Sequence, residues 1–123
     1  MISLYEHRLA PIGVDLGDGR LIALDADLTL PDVIPAREVF DHSSDYIGRA
    51  ENIRVVNGNI IGDIHFKEGY WSLGTHSGRH SLAPDWGYAD WEHFDEKCLS
   101  VMVKGELRGL TLVEPEYYPW GAW

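Results

Sequence analysis

The run Phe40-Asp41-His42-Ser43-Ser44-Asp45-Tyr46-Ile47-Gly48-Arg49 sets a histidine among carboxylates and hydroxyls. An imidazole there could act as a general base toward a nucleophile elsewhere in the chain, or serve only as a polar residue at a strand end. If it is a base, a carboxylate must fix its tautomer. Asp41, as a strand neighbour, points to the opposite face, so Asp45 across the turn is the better orienter.

Other groupings carry less chemistry. "THSGRH" spaces His76 and His80 as a helix would for one metal, but Gly78 lies between them and no Glu follows His76, so both are expected to be loop histidines. The pairs Asp25/Asp27 and Asp90/Glu92 lack the glycine pattern of a calcium loop and are expected to be surface charge. "LGDGR" and "VKGELRG" have no phosphate-loop lysine in register. Neither a metal nor a cofactor is expected. Cys98, the single cysteine, cannot form an internal disulfide and is expected to be a small buried apolar residue.

The elements that must position His42 are mostly β. Short apolar alternation recurs between Gly and Pro residues, and 123 residues make one domain, 1–123, able to bury a core unaided. "IRVVNGNIIGDIHF" is the clearest hairpin: Asn57-Gly58 supplies positive φ between β-branched runs. Asp18-Gly19 offers a similar turn. Pro31 and Pro35 mark an edge or crossing segment that delivers the chain to His42. "KCLSVMVKGELRGLTLVEP" is expected to be a closing strand pair with a turn at Lys104-Gly105.

From Lys67 to Glu96 no periodicity survives, and glycines interleave with Tyr70, Trp71, Trp86, Tyr88 and Trp91. A long aromatic loop packed on the body or a partner is expected. The tail adds Tyr117, Tyr118, Trp120 and Trp123, which either tuck into the same chain or contact another one. A small β-barrel or β-sandwich with at most one short helix, placed near "ADWEHFDEKC", completes the expectation.

Twenty acidic against ten basic residues give a formal charge of −10, which disfavours nucleic acid and anionic membranes as partners. No apolar run approaches the roughly 18 to 20 residues that span a bilayer, and the start "MISLYEHRLAPIG" lacks a signal peptide's pattern.

Residues 37–66, "REVFDHSSDYIGRAENIRVVNGNIIGDIHF", resemble the segment of tailed-phage prohead (capsid maturation) proteases in which an apolar stretch leads to a His, an Ile-Gly-Arg turn and a hairpin. The resemblance implies a β-barrel related to the herpesvirus assembly protease, with His42 as the base of a serine peptidase. "KGELRGLTLVEP" resembles the nucleophile segment through Gly105, Leu107, Gly109 and Leu110, but Thr111 stands where the family has serine. A second register places Ser100 of "CLSVMV" there instead.

A threonine methyl crowds attack on a carbonyl, and the glycine that follows the family's serine is missing. With the end at Trp123, soon after Thr111, these departures imply a shortened, divergent scaffold. The expected function is a non-enzymatic virion structural protein, a capsid decoration or head-associated component. It would be made in the host cytoplasm and bound, as a homo-oligomer or assembly member, to the major capsid or another virion protein. Two alternatives stand beside it: a small serine-type maturation protease, and a carbohydrate-binding or tail-associated β-module suggested by the tryptophans.

Overall fold

The computed structural model describes residues 2–38, 46–75 and 78–123. Seven strands form a single sheet: β1 (Ser3–Pro11), β2 (Arg20–Thr29), β3 (Val33–Arg37), β4 (Tyr46–Val56), β5 (Asn59–Phe66), β6 (Ser81–Phe94) and β7 (Leu99–Val113). One short helix, α1 (Trp71–Thr75), precedes β6, and single 3-10 turns occupy Asp95–Lys97 and Pro119–Gly121. The order is β1-β5-β4-β3-β7-β2, with β6 on the other side of β7.

The barrel or sandwich expectation is corrected to one unclosed sheet. β1 hydrogen-bonds to β5 and β6 to β7, and among the described residues no ladder joins β1 to β6. The C-terminal residues lie in that gap, where Ala122 makes an isolated bridge to Ser81.

The β4–β5 hairpin forms as the sequence predicts, with Asn57 at φ 50° and Gly58 at φ 76°, the two positive values that a type I′ turn requires. Ile64 and Phe66 of β5 face inward and are essentially inaccessible, while His65 between them faces out. They join Leu9, Ile22, Ile34, Ile47, Leu82, Met102, Leu107 and Leu110 in one core. Each such side chain contributes about 1.5–3 kcal/mol by leaving water.

Five expectations of local structure are corrected. Nearly half of the stretch read as an aromatic loop is β6, an edge strand of 14 residues. Pro84 is tolerated because an edge strand can spare a donor, and register shifts near Trp86 and Asp90 scramble the period-2 pattern. The short helix sits at Trp71–Thr75, upstream of "ADWEHFDEKC", most of which is strand.

No turn occurs at Lys104-Gly105, because β7 runs unbroken for 15 residues. Gly105 serves close approach: a Cβ there would come within 2.5 Å of Met102 Sδ and 3.1 Å of the Trp86 ring. Asp18-Gly19 does not join a hairpin either, since β2 pairs in parallel with β7. Its loop is held by Asp15 Oδ1, which accepts from Gly17 N at 2.8 Å and Gly19 N at 3.2 Å. Cys98 is exposed, at φ 49° in the tight β6–β7 turn.

Candidate functional site

β7 carries both hydroxyls that the sequence nominates, and it holds them at opposite ends. Thr111 pairs with Arg37 of β3 on one side and Ala83 of β6 on the other, and is 3% exposed. Ser100 pairs with Arg20 of β2 and His93 of β6. At about 3.3 Å per residue, roughly 36 Å of strand separates them, so one imidazole cannot serve both.

The Thr111 end adjoins the strand that leads toward His42. Arg37, the last residue of β3, pairs with Tyr46, the first of β4. Its Nη2 donates to the Tyr46 hydroxyl at 2.9 Å, and its guanidinium lies 4.7 Å from the centre of that ring. These contacts fasten the two strand ends that flank His42 in the chain. His42 itself, with Asp41 and Asp45, lies outside the described residues, as does His76.

The Ser100 end has an imidazole that sequence reading did not pair with it. Ser100 Oγ lies 2.8 Å from His93 Nδ1, hydrogen-bonded in a direction set by the ring's tautomer. Ser100 N also donates to Gly19 O at 2.7 Å. The contact follows from the strand register: Phe94 stands opposite Leu99 and the four residues between them form the turn, which brings His93 across from Ser100.

A second hydroxyl–imidazole contact occupies the outer face of β1, β5 and β4. Ser3 Oγ lies 2.7 Å from His65 Nδ1, and His65 Nε2 is 3.9 Å from Glu51 Oε2, which leaves the carboxylate beyond hydrogen-bond distance. The other oxygen of Glu51 accepts from Arg49. His65 also helps line a cleft of about 420 Å³ with Tyr46, Arg49 and Trp71.

Among the described residues no group of three or more His, Cys, Asp or Glu side chains could hold a metal ion. One member of each acid pair stands opposite Lys104: Asp27 and Asp90 are its register partners on either side of β7, and Asp90 also accepts from the Tyr88 hydroxyl at 2.8 Å.

The aromatic residues nominated for partner contact divide into two groups. Trp71, Tyr88 and Tyr117 are exposed, Tyr117 by 78%. Tyr70, Trp86, Trp91 and Trp123 pack against the core, and Trp86 and Trp91 wall a cleft of about 460 Å³ whose floor includes Ile22 and Met102. The Tyr118 hydroxyl donates to Leu9 O at 2.6 Å, and burial pushes its pKa well above the usual phenol range. Trp120 Nε1 donates to Leu16 O at 3.3 Å, and Trp123 Nε1 to Leu73 O at 2.8 Å. Of the two fates open to the tail aromatics, Tyr118, Trp120 and Trp123 take the intramolecular one.

No family model matches the chain, and neither a curated protein nor a solved structure matches it.

Proposed function

We propose that this chain is a non-enzymatic virion structural protein, a capsid decoration or head-associated component, on a β scaffold of the prohead-protease type. The observation that carries this reading is Thr111. The residue standing where that family has its nucleophile is β-branched and 3% exposed, between β3 and β6. A hydroxyl so enclosed offers no approach to a peptide carbonyl, and its methyl narrows the approach further.

Surface composition supports the same reading. Tyr88 and Phe94 on β6, Tyr46 and Trp71 near the β4–β5 sheet end, and Tyr117 are all exposed large apolar residues. Buried against the major capsid or another virion protein, such side chains would supply interface anchors. The net charge of −10 disfavours a role on packaged nucleic acid and fits a protein partner.

The test is to incubate the purified chain with its cognate capsid and scaffolding proteins and, separately, to measure its abundance in purified particles. Intact chain at a copy number in fixed ratio to the capsid protein, with no cleavage in the mixture, is the expected result. Cleavage that His42→Ala abolishes would replace this reading with the maturation protease.

A further inference from the structure

We propose that Tyr118–Trp123 is a pH-released strap: it closes the open side of the sheet when His7 is neutral and detaches when His7 takes up a proton. This inference does not depend on the virion role.

The strap lies where the sheet fails to close. Toward β6, Ala122 bridges Ser81, the Ser81 hydroxyl donates to Tyr118 O, and Gly121 sits so close to the Leu82 carbonyl that a Cβ would collide with it. Toward β1 the attachment is made by side chains reaching main chain or main chain receiving them. His7 Nε2 donates to Gly121 O at 2.8 Å, Arg8 Nε donates to Trp120 O at 2.9 Å, and the Tyr118 hydroxyl donates to Leu9 O at 2.6 Å. Among the described residues no ladder backs these three contacts, which are joined on that side by the Trp120 Nε1 bond to Leu16 O and by the Arg8 guanidinium 5.2 Å from the centre of the Trp120 ring.

Of the three side chains only His7 changes charge near neutral pH. Arginine stays protonated, and the buried Tyr118 phenol stays neutral. Because Nε2 carries the hydrogen given to Gly121, the ring's second proton must go to Nδ1.

The surroundings of the ring oppose that proton. Desolvation is the largest influence on His7 and lowers its proton affinity; the bond to Gly121 favours the charged ring but is outweighed, and the Arg8 guanidinium beside it lowers it again. Opposite His7 on β5 stands Gly62, which has no charge to offer. From the strap, Trp123 meets the His7 ring edge-on at 5.6 Å, and on the approach to β6 the His80 ring lies 5.7 Å from the same indole. A proton on His80 would add a second positive charge, and Tyr118 brings none.

The direction follows from linkage. Folded with the strap docked, His7 titrates below its ordinary value of about 6.5; with the strap detached and the ring hydrated it rises toward that value. The detached state therefore binds the proton more readily, and its share grows as pH falls through about 6.5, by tenfold for each pH unit that separates the two values. Release would free the Trp120 and Trp123 indoles, taking Trp123 off the core and the Phe66 ring it meets at 5.7 Å.

The test uses the full chain and the indole N–H of Trp123, which donates to Leu73 O only while the strap is docked. Hydrogen exchange at that group is measured from about pH 7 to about pH 5, corrected for the intrinsic rate, beside an NMR titration of the His7 ring. The expected result is a loss of protection that follows the His7 titration in the wild type and is absent from His7→Gln, whose amide can still donate to Gly121 O. Unchanged protection in the wild type, or the same loss in His7→Gln, overturns the proposal. Should His7→Gln not fold, the wild-type titration decides alone: a His7 midpoint at or above about 6.5, or one that Trp123 protection does not follow, overturns it.

Discussion

The two ends of β7 present the same functional group in opposite surroundings. At one end Thr111 has a hydroxyl enclosed by β3 and β6 and adjoins the strand that leads to His42. At the other, Ser100 has an accessible hydroxyl already bonded to His93, beside the β6–β7 turn. A serine-type nucleophile needs a base, access for a carbonyl and donors for the oxyanion together. Each end holds part of that set, which is why a match of residue types along the sequence does not by itself define a site.

The contrast in burial is the easiest part to break. Leu110 stands next to Thr111 and is 1% exposed, in the core with Ile34, Ile47 and Phe66. Leu110→Ala is expected to cost about 2–5 kcal/mol in urea unfolding, the range for a buried leucine replaced by alanine. Leu99→Ala, next to Ser100 and only partly buried, should cost well under half as much. Equal losses would mean that the two ends are packed alike.

Gly105, between the ends, tests why β7 is continuous. A Cβ there would meet Met102 Sδ at 2.5 Å and the Trp86 ring at 3.1 Å, so Gly105→Ala should lose about 1–3 kcal/mol by overpacking even though alanine suits a strand backbone. Met102 can yield and Trp86 cannot easily, which places the effect toward the indole. A near-neutral Gly105→Ala, measured by the unfolding midpoint and Trp86 fluorescence, would show that the contact does not constrain this position.

Gly105 also shows what the sequence conveyed and what it did not. The Asn57-Gly58 hairpin was legible because its turn chemistry is local: two positive-φ residues between β-branched runs leave few alternatives. At Gly105 the same residue type answers to Trp86, whose position depends on β6, and β6 itself was hidden because Pro84, Gly87 and its register shifts erase strand alternation. The parallel pairing of β2 with β7 is a long-range choice that no local pattern in "DGRLIALDADL" records. Of the candidate site, burial separates Thr111 from Ser100, while the Ser100–His93 contact needed the hairpin register before it could be seen.

Placing serine at the enclosed end gives a smaller effect. Thr111→Ser removes one buried methyl group and should cost about 1 kcal/mol, within the range of single-methyl deletions in cores. It should confer no cleavage of capsid or scaffolding protein, because enclosure and not only the methyl keeps a carbonyl away. Cleavage gained by this single change would mean that the Thr111 end is a working site lacking only its serine.

The smallest effect belongs to the exposed end. If the Ser100–His93 contact is an ordinary surface pair, Ser100→Ala and His93→Ala should each change stability by about 0.5 kcal/mol or less, and their coupling in a double-mutant cycle should stay below about 1 kcal/mol. The cycle is informative because the two residues face each other across the ladder and share little else. A fluorophosphonate that labels Ser100 in the wild type but not in His93→Ala would reverse the conclusion: the imidazole would then be activating the hydroxyl, and the accessible end of β7, not the one beside β3, would carry the chemistry.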